Sequence, residues 1–211
     1  MRGRLSYSVA MNTEERHEQN ALVVATWLKK GEPLKLELGA GPFKRPGWIS
    51  LDLEEADLLV PLGEEPLPFP DNSVAYIYSS HVFEHFTFPD PMLPILTDCM
   101  RALQPRGVFD ICVPNARPYI EAYCSGKTEY PYPAGLLHTP AYETHTNGRI
   151  DLLNYIAYMG GIHKYMFDEE NLANLLRRAG FKGVHLREFR HGFDISGREH
   201  ESIYAMGVKP E

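Results

Sequence analysis

The sequence has no long apolar run. No stretch of its 211 residues approaches the ~20 consecutive apolar residues that span a bilayer. Its first residues, MRGRLSYSVAMNTEER, hold no apolar stretch of the secretory kind. A soluble, cytoplasmic protein with no membrane partner is expected. Cysteine is scarce: Cys99, Cys112 and Cys124 are the three present. An odd, widely spaced set is neither a disulfide framework nor a zinc ribbon. Cys99 and Cys112 fall in apolar runs, where a thiol packs as a small hydrophobe. Positive charge is in deficit, with 21 Lys and Arg against 28 Asp and Glu, a net charge of −7. An acidic chain gains nothing from releasing counterions on a phosphate backbone, so nucleic acid is not an expected partner. Lys44-Arg45 and Arg177-Arg178 read as solvated surface charge. Internal repeats and low-complexity tracts are missing as well.

What is present is ordinary globular composition, 44% hydrophobic and 23% charged. The length suits one domain over residues 1–211. Residues 1–31 read as a helical segment: Thr13 caps it, Glu14 and Glu15 sit in its first turn, and Ala21, Val24, Ala25 and Leu28 form its stripe. LKLELGAG, GWISLDL and VAYIYSS read as short strands. From Pro91 the period becomes helical: Met92, Leu96, Cys99, Met100 and Leu103 share a face, and Pro105-Arg106-Gly107 ends the helix. VFDICVP is the next strand. Asp168 caps a later helix, with Phe167 and Leu172 placed as a hydrophobic staple around it. GVHLREF and ESIYAMGV follow as strands with no helix between them, which places an antiparallel strand at the end of the sheet. Strands alternating with helices imply a mostly parallel sheet with helices on both faces. Residues 116–165, rich in Pro, Gly, Tyr and His, fit poorly and read as an insertion over the open end of the sheet. They show only a weak helical pattern around 150 to 158.

Glu37-Leu38-Gly39-Ala40-Gly41 follows the first strand, where glycines let backbone turn sharply and approach a ligand. An acid, Asp52, ends the second strand. A carboxylate there can accept from both hydroxyls of a ribose, or it can merely cap a loop. Phosphate-bearing dinucleotides fit badly. The third glycine of G-x-G-x-x-G would fall at Lys44, and Pro46 cannot sit inside a helix. From Gly41 to Asp52 there is barely room for a strand, so no helix N-terminus is expected to hold a pyrophosphate. A nucleoside without phosphates suits the loop.

These segments (ELGAG, SLDL, PLPFPDNSVAYIYSSHVFEH, ALQPRGVFDICVPN and HKYMFDEENLANLLRRAGF) together resemble small class I S-adenosylmethionine-dependent methyltransferases with a shortened first helix. The resemblance covers roughly residues 34 to 115 and 163 to 208. It implies a doubly wound, mostly parallel, seven-stranded Rossmann-like α/β sheet with an antiparallel C-terminal strand. It implies S-adenosylmethionine as cofactor, S-adenosylhomocysteine as product and a small-molecule acceptor. On matching positions, Glu37, Leu38, Gly39, Ala40 and Gly41 would hold the methionine end, with Glu37 reaching its amino group through water. Asp52 would hold the ribose and Leu53 would pack on the adenine. Ser80 and His81 would approach the methionine moiety. Many relatives carry an Asp a few residues before LPF. Here that stretch is Val60-Pro61-Leu62, which leaves the adenine to backbone groups or Glu64.

HVFEH, residues 81 to 85, matches the inverted zinc-peptidase pattern H-x-x-E-H. A zinc site of that kind needs both imidazoles on one helix face and a distant third ligand, for which His138, His145 and His163 are available. His81, however, comes directly off a strand, and Pro89 and Pro91 keep any helix short. The resemblance puts the stretch at the lip of the cofactor pocket and requires no metal. His81, His85 and His163 are then candidates for orienting the acceptor or removing its proton, since an unperturbed imidazole titrates near 6.5. His85 and Glu84 read equally as a structural pair fixing the loop. Tyr165 is a candidate for positioning substrate. The tyrosines of the insertion suit a pocket for a sugar or another polar metabolite, a cover over the sheet, or a homodimer surface. A non-catalytic module that binds the nucleoside is the alternative reading, and a zinc hydrolase the third.

Overall fold

The computed structural model describes residues 12–41, 44–126 and 148–211. Helix α1, Thr13–Lys29, opens one residue before the expected cap. Asn12 accepts from the Glu15 N–H, and the Glu15 side chain accepts from the Asn12 N–H in return. The Asn12 side chain satisfies an amide that a free helix end leaves exposed. Strands β1, Leu34–Leu38, and β2, Ile49–Asp52, follow. Next come β3, the two-residue strand Leu58–Leu59, and β4, Val74–Ser80. A single 3-10 turn covers Phe83–His85, and α2 runs Met92–Ala102. The residues at 105–107 do not stop a helix; α2 ends at Ala102, and Pro105-Arg106-Gly107 already lie in β5, Leu103–Pro114. Helices α3, Arg117–Cys124, and α4, Asp151–Tyr158, lie in the segment read as an insertion. Helix α5 is Glu169–Arg178, and β6, Lys182–Arg187, and β7, Ser202–Val208, complete the order.

The sheet order is β3-β2-β1-β4-β5-β7-β6. Strands β1 to β5 pair in parallel and β7 runs antiparallel to both its neighbours. The order reverses between β1 and β4, and in such sheets a crevice opens there beyond the carboxyl ends of the strands. β7 inserts between β5 and β6, so the two strands without a helix between them still form a hairpin, as expected.

Pairing registers divide the sheet into two unlike faces. On one, Leu36 faces Ile49 and Ile77, and Ile77 faces Phe109. These residues join buried side chains of α1, α2 and α5, including Val24, Leu96 and Leu172, in one core. On the other face Glu37 lies beside Ser50 and Tyr78, and Tyr78 beside Asp110. Among the described residues no long helix covers that face, because β1 and β2 are joined by too few residues to wind one. The segment after β6 closes it with charge. Arg187 donates to Asp194 through both terminal nitrogens at 2.7 Å and to Asp110 at 2.9 Å through Nε. Arg190 pairs with Asp110 as well, and Tyr78 donates to Asp194 at 3.0 Å. Burial opposes ionisation of Arg187 and Asp194 alike, but their mutual hydrogen bonds prevail, raising the guanidinium and lowering the carboxyl. Charges removed from water cost several kcal/mol each unless paired in this way.

Residues 116–126 and 148–161 form their own small core, in which Tyr119 and Tyr155 rings lie 5.6 Å apart. The expected cap at Asp168 is present, completed by Asn171, and Phe167 and Leu172 on either side of it are buried. Cys99 and Cys112 are buried and Cys124 is exposed. Tyr130, Tyr132, Tyr142, His138 and His145 of the sequence reading lie outside the described residues. No helix among the described residues is long and apolar enough to cross a membrane.

Helix α1 is fastened to the sheet edge by polar contacts more than by its stripe, of which only Val24 is buried. Asn20 brackets the backbone of Leu59, donating to its carbonyl at 2.8 Å and accepting from its N–H at 3.1 Å. Arg16 grips the Glu65 carboxylate with two nitrogens. The hydrogen bonds from Arg16 and His17 pull the Glu65 carboxyl from its usual 4.5 down to about 2. A carboxyl depressed on folding stabilises above its unfolded pKa and loses that contribution as pH falls through the folded one. Glu65→Gln is therefore expected to lower stability by about 1 kcal/mol at pH 6, the scale of a screened pair, and by progressively less toward pH 2. Urea midpoints of both proteins across that range measure the convergence; a constant difference contradicts it.

Candidate functional site

A cavity of about 420 Å³ opens beyond the ends of β1, β2 and β4. Its wall includes Gly39, Asp52, Leu53, Val60, Pro61, Leu62, Glu64, His81, Val82, His85 and Phe86. A larger hollow of about 570 Å³ lies along α1 and Pro66–Pro70, but its polar groups, His17, Asn20 and Glu65, are engaged with one another or with Leu59. The smaller cavity is the one where unlike polar groups converge.

The turn after β1 is built from two left-handed glycines, Gly39 at φ +62 and Gly41 at φ +55. A Cβ on Gly39 would lie 2.2 Å from Val82 Cγ2, so the strand end can approach the next loop only without a side chain. A Cβ on Gly41 would meet nothing within 4 Å, which leaves open space beside the turn. The Gly41 N–H donates to Asp52 Oδ2 at 2.7 Å, and the Leu53 N–H donates to Oδ1 at 2.6 Å. Asp52 and the glycine turn thus stand side by side, as the sequence suggested. Leu53 is 66% exposed on the cavity wall, an apolar surface offered outward. Leu38 and Ala40 are buried and neither is on the cavity wall.

Glu37 and Ser80 depart from expectation. The Glu37 carboxylate is 3% exposed and is held bidentately by Arg45, at 3.0 Å from Nε and 3.1 Å from Nη2. It lies on the polar face of the sheet and does not line the cavity. Arg45, read from sequence as surface charge, is one of its partners; its guanidinium also lies over the rings of Phe193, Tyr78 and Trp48. The Ser80 hydroxyl and carbonyl both accept from Arg198, at 2.8 and 3.0 Å, and Ser80 is absent from the cavity wall. Strand alternation puts it on the face with Tyr78, away from a ligand. Arg45 and Arg198 were missed because their partners are distant in the chain or on another element.

The three histidines differ. His81 adopts φ +56, a left-handed backbone unusual for a side-chain-bearing residue. Its Nε2 lies 2.8 Å from Ser202 Oγ. Burial, then Arg198, His163 and His85, hold its pKa well below 6.5. That low basicity does not favour a role in removing a proton. His163 is buried, its Nδ1 3.1 Å from the Ile156 carbonyl, and burial lowers it too despite that bond. His85 is open to the cavity, with Nδ1 3.1 Å from the Ile162 carbonyl and its ring 5.3 Å from that of His163. Tyr165 does not reach the cavity wall; it packs on Phe167 and Phe88. Between the histidines sits Glu84, 1% exposed, whose burial pushes its carboxyl up to about 8. The 3-10 turn does not gather His81 and His85 on one helix face, so the inverted zinc-peptidase arrangement is not formed.

This sheet order and a strand-end crevice define the Rossmann-like class of nucleoside-binding folds. A family model described as a methyltransferase domain matches residues 40–186. The chain belongs to this family, the class I S-adenosylmethionine-dependent methyltransferases, and is an enzyme with that cofactor. A search of curated proteins found no match. Among solved structures, a methyltransferase from Archaeoglobus fulgidus is similar at 14% identity and a TM-score of 0.51, over 92% of this chain and 94% of that one. A Burkholderia thailandensis 1,6-didemethyltoxoflavin-N1-methyltransferase is similar at 16% identity and a TM-score of 0.50, over 94% and 80%. At such identities the likeness concerns the fold. The residues present suit the cofactor: open space at Gly41, a carboxylate at Asp52 and an apolar wall from Leu53 to Phe86.

The tight approach of Gly39 to Val82 generates a prediction. Gly39→Ala combines a left-handed backbone with a clash and is expected to cost roughly 2–5 kcal/mol. Adding Val82→Ala relieves the clash and recovers part of that cost. Thermal unfolding of the wild type and both variants measures it; a Gly39→Ala protein as stable as wild type contradicts the geometry.

Proposed function

We propose that the chain transfers the methyl group of S-adenosylmethionine to a small polar molecule bound at the His85 side of the 420 Å³ cavity. The observation that carries this reading is the junction of the Gly39–Gly41 turn with the Asp52 carboxylate on one wall. In this reading Asp52 holds the ribose, the open space beside the glycine turn takes the methionine end, and Leu53 with Phe86 packs against the adenine. Glu64, on the same wall, stands where the adenine-reading Asp of other family members is missing. The cofactor, when bound, supplies a methyl on a sulfonium that is already a good electrophile.

The chain's own residues then have a positioning task. Val82 and Phe86 exclude water, and the acceptor enters at the open side of the cavity, beside His85. Holding the reacting groups in line is worth effective molarities on the order of 10⁵–10⁸ M in favourable cases. With His81 and His163 made less basic by burial, an acceptor that loses no proton before attack, such as an unprotonated amine nitrogen, suits the site. The α3–α4 unit is proposed as the cover on the acceptor side. Action in the cytoplasm, without nucleic acid or membrane, belongs to the proposal and rests on composition.

Calorimetry with S-adenosylmethionine and S-adenosylhomocysteine tests the reading. Both are expected to bind, and Asp52→Ala to weaken each by roughly 10- to 100-fold, the loss of one charge-assisted contact pair. No binding of either by the wild type at millimolar concentration refutes the assignment.

A further inference from the structure

Sequence reasoning assigned no metal, yet three ligating side chains converge behind the cavity. Glu84, His85 and His163 each offer a donor atom within 4.8 Å of the others. His85 Nε2 is 4.0 Å from Glu84 Oε1. Both imidazoles turn Nδ1 to a backbone carbonyl, of Ile162 for His85 and of Ile156 for His163, each at 3.1 Å. That arrangement fixes the proton on Nδ1 and leaves the Nε2 lone pairs free, the outer-sphere support that metal-binding histidines almost always have. The decisive feature is Glu84. It is 1% exposed, and neither carboxylate oxygen finds a hydrogen-bond partner on another residue. Buried polar groups are nearly always satisfied, so an orphaned carboxylate among three imidazoles, with His81 Nδ1 also 3.8 Å from Oε1, calls for a ligand. The backbone carbonyl of Glu84 accepts from the N–H groups of Lys164 and Tyr165, at 2.7 and 3.2 Å, which ties the turn bearing Glu84 and His85 to the strand of chain bearing His163.

We infer that Glu84, His85 and His163 form a binding site for one divalent transition-metal ion, of the two-imidazole, one-carboxylate type. This differs from the H-x-x-E-H pattern of the sequence: His81 is engaged with Ser202 and stands outside the set, and Glu84 is a ligand. Donors around a tetrahedral zinc lie roughly 3.3 Å apart, given bonds of about 2.0–2.2 Å. The donors here, all within 4.8 Å of one another, close to that spacing by shifts of up to about 1.5 Å. Three protein donors leave coordination positions open, and His85 borders the cavity. The ion would therefore face the acceptor side and suit an acceptor bearing an oxygen ligand. This last point rests on the proposed methyl transfer; the ion site itself does not.

The test uses the full chain, stripped with chelator and titrated with Co²⁺ by visible absorption and with Zn²⁺ by calorimetry, both without S-adenosylmethionine. One equivalent is expected to bind at micromolar or lower concentration, with d–d bands of four- or five-coordinate cobalt. His85→Ala and His163→Ala are each expected to weaken binding at least tenfold, and His185→Ala, an exposed histidine on β6, to leave it unchanged. Because His163 is buried and its variant can misfold, His85→Ala decides the matter in that case. Sub-stoichiometric binding, or wild-type affinity in His85→Ala, overturns the inference. Cofactor binding without metal binding overturns this site alone; metal binding without cofactor binding overturns the methyl-transfer reading alone.

Discussion

The structure depends on one hydrogen bond, from the Gly41 amide to the Asp52 carboxylate. It joins the ends of two neighbouring parallel strands where the chain leaves both of them. Parallel strands end with carbonyls and amides pointing into a crevice, and without such a tie the two exits would splay. The bond also orients a carboxylate toward the cavity and fixes the left-handed turn that keeps a side chain out of it. Gly39 must then pass Val82 at a distance only glycine allows, which draws the loop after β4, bearing His81 and His85, to the same wall. Fold and site are in this sense set by the same few atoms.

The two faces of the sheet are stabilised by different physics. One is a conventional apolar layer, whose packing tolerates exchange of one hydrophobic side chain for another of similar volume. The other is a buried lattice of guanidinium and carboxylate groups, in which removing one partner strands another. Such lattices contribute little net stability over an apolar equivalent but are unforgiving of single changes. On this face Arg45 lies over the Tyr78 ring while Arg187 and Arg190 hold the Asp110 carboxylate.

Much of this was legible in the sequence because it is local. Asp168 with Asn171 caps α5 through neighbours three residues apart, and the strand-glycine-glycine pattern of LKLELGAG marks β1 and its turn. The placement of Asp52 beside the turn followed from the shortness of the connection between β1 and β2. What was missed is non-local or too brief to show a period. β3 has two residues, fewer than any alternation needs. The capture of Ser80 by Arg198 joins positions 118 apart, and nothing in either segment announces the other. Glu37 has the residue type expected of a ligand-binding acid; only the side of the strand it occupies gives it to Arg45. The histidines were identified as a group, but burial, which separates a weakly basic imidazole from an available one, is a property of the assembled core.

Arg45 donates to Glu37 on the first strand and to the Phe193 carbonyl in the segment between the last two. The second of these bonds joins positions 148 residues apart in the chain. During synthesis the N-terminal half emerges first, carrying the glycine turn and Asp52 with a buried-type acid still exposed to water. The acid beneath the glycine turn is therefore held from a segment that precedes the last strand, although no residue of that strand lines the cavity.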